Sequence, residues 1–200
     1  MTEPDAKLPA ESMEAAIARW QSIYGDKCGG KRMLYLSTPL NTGLRFVEWW
    51  DAEGRHMGQG NVEYNRAHDV AVRHPNALKA GAIAQQLCGD GDCTVVNPVD
   101  FVDPPGWNQP TFHEFWARVI RQFIDHVVFV DGWEFSQGCC REFAAAQEQG
   151  IPCTDQQDKP LTAAHGLELL RKARARLVDL QMDTVVHDSV IAGLTARHHA

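Results

Sequence analysis

The chain has 200 residues, 44% of them hydrophobic, six cysteines and a formal net charge of −7. That length suits one domain with a substantial core, and the acidic balance disfavours a nucleic-acid polymer as partner while leaving room for a small anionic ligand held locally. No run approaches the roughly 18 consecutive apolar residues of a membrane helix. The cysteines form no CxxC pair and no basic stretch followed by an apolar run opens the chain, so free thiols in a soluble, cytoplasmic protein are expected.

After a polar tail, "ESMEAAIARWQSIY" spaces Met13, Ile17, Trp20 and Tyr24 at helical intervals, which predicts a helix ahead of the core whose loss the fold could tolerate. "KRMLYLSTPL" predicts a buried strand from Met33 to Leu36 that breaks at Ser37, Thr38 and Pro39. The stretch from Asn41 to Asn65 shows no clean period and reads as a long loop. From Tyr64 to Leu87 the pattern is helical but interrupted at Pro75, as two helices or one broken one. "CTVVNPVDF" is a second strand, followed by the loop "DPPGWNQP". "TFHEFWARVIRQFIDH" is the clearest helix, with Thr111 and Glu114 as a capping box and Phe115, Val119 and Phe123 on an apolar stripe. "VVFVDG" is a third strand, a helix from about Gln137 to Gln149 ends at Gly150, and "IPC" begins a fourth strand. From Thr162 one or two helices follow, ending in a tail from Arg197 to Ala200 that is expected to be disordered.

Strands separated by helices predict an α/β fold with a Rossmann-like parallel sheet, because each parallel crossover needs a dozen or more residues. The expected organisation is a tail and helix over 1–30, a core over 31–155 and C-terminal helices over 156–200, in a single domain. Ligands in such sheets sit at the carboxyl ends of the strands. Two of those ends carry reactive or polar groups here, "STPLNTG" after the first strand and "DGWEFSQG" after the third.

Gly138 and Glu142 are four residues apart, so they share one helical face, and the Glu142 side chain leans toward the helix N-terminus over a residue with no side chain. Ser136 is placed to cap that helix, beside free amides and the positive end of its dipole. The spacing fits a pocket with a carboxylate at its floor, and equally an ordinary solvated acid in the second helical turn.

The "YLSTPL" strand and the run Ser136-x-Gly138-x-x-x-Glu142 resemble the nucleoside 2-deoxyribosyltransferase superfamily, in particular its nucleotide N-glycosidase-like members. The order of elements agrees over residues 33–155. The resemblance implies that Glu142 attacks or stabilises the anomeric carbon of a nucleoside or nucleotide as the base departs, the role of an ionised carboxylate beside an oxocarbenium-like centre. It implies that Tyr35 lies near the sugar or orients Glu142, and that Ser37, Thr38, Ser136 and Gly138 border the substrate. A serine at position 136 points to a phosphorylated ligand. Ser37-Thr38-Pro39 stands where the family usually has a small residue followed by Gly-Pro. Arg45 is a phosphate ligand if its loop folds over the site, or else a surface arginine. A homodimer or larger homo-oligomer is implied, with no cofactor and no metal. The runner-up is a nucleotide-binding or sensing module without the chemistry.

Cys139 and Cys140 at a helix start invite a nucleophile reading, but no Cys-His pattern accompanies them and small core fillers are preferred. Cys88 and Cys93 in "CGDGDC" lack the partners of a zinc site. Trp49, Trp50, Trp107 and Trp133 fall in expected loops, where they stack on a base or anchor the loop. Asp131 and Glu134 could contact ribose hydroxyls, although an Asp before Gly also simply forms a turn.

Overall fold

The computed structural model describes residues 11–89, 91–101, 104 and 106–198. The expected polar tail, 1–10, lies outside them. In chain order come α1 (Met13–Cys28), β1 (Arg32–Ser37), α2 (Leu44–Ala52), α3 (Val62–His68), α4 (His74–Leu87), β2 (Cys93–Val96), α5 (Gln109–Phe123), β3 (His126–Phe129), α6 (Gln137–Gln149), β4 (Cys153–Asp155), α7 (Ala163–Asp179) and α8 (Val185–His198). The four strands form one parallel sheet in the order β2-β1-β3-β4. This is the α/β, Rossmann-like architecture the alternation of elements predicts. The chain leaves β1 toward one edge and resumes beside it with β3, so the carboxyl ends of β1 and β3 flank the point where strand order reverses. A ligand crevice forms at such a point.

The two faces of the sheet are covered by different helices. Met33, Tyr35, Val127 and Phe129 join Phe115, Ile120 and Phe143 in the larger core, which α1, α5, α6, α7 and α8 complete. Leu36, Val128 and Val130 face the other way, onto Ala80 of α4. Side chains alternate across a strand, so Ser37, two residues beyond Tyr35, returns to the larger face. Ser37 is the last residue of β1 rather than the start of a break.

Several local expectations are corrected. The segment expected to be a loop from Asn41 to Asn65 contains α2 and the start of α3. Contacts between segments organise it: Phe46 and Trp49 pack on His68, and Trp49 meets Tyr64 edge-on at 5.2 Å. The expected interruption near Pro75 is present: α3 and α4 are two helices joined by a π-helical stretch, Asp69–Arg73, with Pro75 in the first turn of α4. The capping box at Thr111 and Glu114 does not form. Asn108 caps α5, accepting from the Thr111 amide at 3.0 Å, because Pro110 lets the helix begin earlier. The expected disorder from Arg197 also fails, since α8 runs to His198 and Arg197 pairs with Glu148 at 2.9 Å; His199 and Ala200 lie outside the described residues.

Helix α1 belongs to the core. Trp20 is 1% exposed and packs against Phe123 and Tyr24, with ring centroids 4.9 Å apart in each case. Truncating a buried tryptophan removes its transfer energy and leaves a cavity. Trp20→Ala should therefore lower unfolding stability by about 3–5 kcal/mol in a denaturant titration. An unchanged midpoint would mean that α1 is dispensable.

Candidate functional site

The period of β1 and the lean of α6 converge on one carboxylate. The Tyr35 hydroxyl donates to Glu142 Oε1 at 2.8 Å, and the Ser37 hydroxyl donates to Oε2 at 2.6 Å. Among the described residues no Lys, Arg or His lies within 4.0 Å of that carboxylate, and Arg118 is engaged with Glu14 and Glu114 instead. Glu142 as a residue is half-buried, because it lines a cavity of about 480 Å³ while its acid group is enclosed by protein. Trp107, Phe112, Trp116 and Phe101 form an aromatic wall, with Arg73, His113 and Ser136 at polar positions around it.

Two loops must approach closely to shape this end of the sheet, and glycines permit it. Gly132 has φ +85°, and a Cβ there would lie 2.8 Å from Leu44 Cβ; Gly43 has φ +87° and a Cβ would meet the Pro39 ring. Both positions use left-handed backbone that side chains resist. The Leu40–Thr42 rim is held from behind. Asn76 donates to the Leu40 carbonyl at 3.1 Å, and His68 Nε2 meets the Asn41 carbonyl at 2.8 Å. It is closed in front by Thr42, whose hydroxyl donates to Ser136 Oγ at 3.0 Å. Ser136 holds the N-cap position of α6, where its carbonyl accepts from the Cys140 amide at 2.9 Å while its hydroxyl caps no helix amide. Gly138 lines the cavity, with His113 Nε2 3.4 Å from where its Cβ would be.

Burial pushes the Glu142 acid above its ordinary range, and the bonds from Ser37 and Tyr35 partly offset that rise by favouring the ionised form. Burial, and then the nearby Glu142 charge, raise the Tyr35 phenol well above its usual value, so it stays a donor. The same two effects raise the Cys139 thiol, and burial raises Cys140. Both thiols therefore remain protonated and packed in the core, which opposes a cysteine nucleophile. His113 is lowered by burial and by the Arg141 charge, which favours the neutral ring.

The remaining sequence candidates do not join this cluster. Thr38, Arg45 and Asp131 line a separate cavity of about 200 Å³. Thr38 follows Ser37 and so leaves on the opposite side of the sheet, and Arg45 donates to Asn76 at 3.2 Å. Asp131 accepts from Gln156 and lies 4.0 Å from Lys79. Trp133 is 3% exposed, wedged between Phe129 and Phe143, with no ring face free for a base. Trp49 and Trp50 belong to α2 and pack with Phe46 and Tyr64. Of the four singled-out tryptophans, only Trp107 reaches the Glu142 cavity, and its indole N–H donates to the Glu11 carbonyl at 2.7 Å. Among the described residues no three His, Cys, Asp or Glu are grouped as metal ligands.

Arg73 and His113 escaped the sequence reading. Arg73 is turned into the rim by the π-helical stretch, a local feature that frequently marks functional positions, and its nearest acid is Asp69 at 4.0 Å. His113 stands one turn after Gln109 on α5, and both border the cavity. The one available signal was a polar ring inside an apolar stripe. No family model, no curated protein and no solved structure matches this chain.

A raised folded-state pKa means that the fold favours the protonated acid. Stability is then highest below the unfolded side chain's value and falls as pH rises through the folded one. Glu142→Gln removes that loss, its amide accepting from one hydroxyl and donating to the other. Its melting temperature should match wild type at low pH and exceed it near pH 8, each kcal/mol being worth roughly 2–4 °C in a chain of this size. A variant that loses ground as pH rises would contradict the assignment.

Proposed function

We propose that the Glu142 cavity binds a nucleoside 5′-monophosphate and that Glu142 acts on its anomeric carbon, cleaving the N-glycosidic bond by hydrolysis or transferring the sugar. The observation that carries this reading is a desolvated carboxylate, fixed by two hydroxyl donors, with no cationic partner among the described residues, facing a cavity of about 480 Å³. Such a volume lies in the range of small-molecule sites, roughly 300–1,000 Å³. A Glu142 oxygen attacks C1′, and the bonding electrons leave with the base, which takes up a proton. Water or a second base then attacks C1′ and frees Glu142. Tyr35 and Ser37 keep the carboxylate aimed through both steps. The aromatic wall suits a base, and Arg73 at the rim suits the phosphate, with Ser136 beside it. In this proposal the phosphate binds Arg73 rather than Arg45, which borders the other hollow. Assembly as a homodimer belongs to the same proposal.

Incubation with ribo- and deoxyribonucleoside 5′-monophosphates should release free base, seen by chromatography, and Glu142→Ala should abolish that release. The acid limb of the rate profile should lie above the ordinary glutamate range, because only the ionised form attacks. Arg73→Gln should weaken the monophosphate by roughly 10- to 100-fold while leaving the unphosphorylated nucleoside unchanged. Thermal stabilisation by a nucleotide in wild type and Glu142→Ala alike, with no base released, would leave binding as the function.

A further inference from the structure

A second cavity, of about 470 Å³, adjoins the first on the side of α5, α6 and α8. Gln109, His113 and Gln137 line both and form the partition between them. Its charged lining is three arginines, Arg121, Arg141 and Arg197, against the carboxylates Glu114 and Glu148. The acids are already committed. Glu148 is shared by Arg121 at 3.0 Å and Arg197 at 2.9 Å, and Glu114 accepts from Arg118 at 3.0 Å. Among the described residues Arg141 has no carboxylate within 4.0 Å. A chain of net charge −7 thus carries one hollow with excess positive charge. At Gly193 on the α8 wall a Cβ would meet nothing within 4 Å, so this part of the hollow is open.

We propose that this second cavity is a binding site for a phosphorylated small molecule, with Arg141 taking the phosphate oxygens and the Arg121–Glu148–Arg197 group supplying further positive potential. A guanidinium without a partner, at the edge of a concave surface, matches the planar paired oxygens of a phosphoryl group. His113, in the partition, is kept neutral by burial and by the Arg141 charge, so its ring offers a hydrogen bond and the positive charge comes from the arginines. The site does not depend on any reaction at Glu142.

Isothermal titration of the full chain with inorganic pyrophosphate at low ionic strength tests this directly. Wild type should bind, and Arg141→Gln should weaken binding by roughly tenfold or more. Gly193→Glu, whose Cβ would meet nothing within 4 Å and whose carboxylate adds negative charge at the hollow, should abolish it. Arg73→Gln, which removes the phosphate ligand proposed for the first cavity, and Glu142→Gln should both keep the Arg141-dependent binding, and circular dichroism should show all four variants folded. Failure of wild type to bind pyrophosphate would overturn the proposal. So would binding that survives both Arg141→Gln and Gly193→Glu, or that is lost instead with Arg73→Gln.

Discussion

The carboxylate of Glu142 is held by hydroxyls from Tyr35 and Ser37, and an acid enclosed in this way constrains the elements around it. Desolvation penalises its charge and the two donors restore part of the loss. Both donors come from one strand, so they must stand two residues apart to share a face. The acid comes from a helix, so it must sit about a turn inside that helix for its lean to bring it back to the strand end. The order β2-β1-β3-β4 sets the end of β1 beside the end of β3, from which α6 departs.

The sheet also partitions the chemistry. Tyr35, Ser37, Ser136, Gly138 and Glu142 meet on the larger face, while Thr38, Arg45 and Asp131 border a different hollow. Adjacent residues at a strand end go to opposite sides, so Ser37 and Thr38 have different fates. The backbones at Gly43 and Gly132 bring the two loops close enough to frame the cavity, and Thr42 fastens one loop to the start of α6 through Ser136.

The architecture was legible in the sequence for a physical reason: period two and period 3.6 are local, and together they specify which side chains share a face. Whereas the approach of Tyr35 to Glu142 is expected only from the resemblance to the nucleoside 2-deoxyribosyltransferase superfamily, the four strands, α6 and the shared face of Gly138 and Glu142 follow from that logic. Features that depend on contacts between segments did not. Helix α2 is defined by Phe46 and Trp49 packing against Tyr64 and His68, residues some 15 to 22 positions away. Trp133 looked like a loop aromatic because its burial depends on Phe129 before it and Phe143 after it. Arg73 reaches the rim through a π-helical stretch that a helical period does not announce, and Arg45 was favoured because it lies in the loop nearest the strand.

The most direct measurement is the titration of the Glu142 side-chain carboxyl in the intact protein, followed by carbon-13 NMR after assignment with Glu142→Gln. The midpoint should lie above that of an ordinary glutamate and be displaced further upward in Tyr35→Phe and in Ser37→Ala, because each removes a donor that favours the charged form. A midpoint at or below the ordinary value, or one unmoved by both substitutions, would contradict the carboxylate clasp.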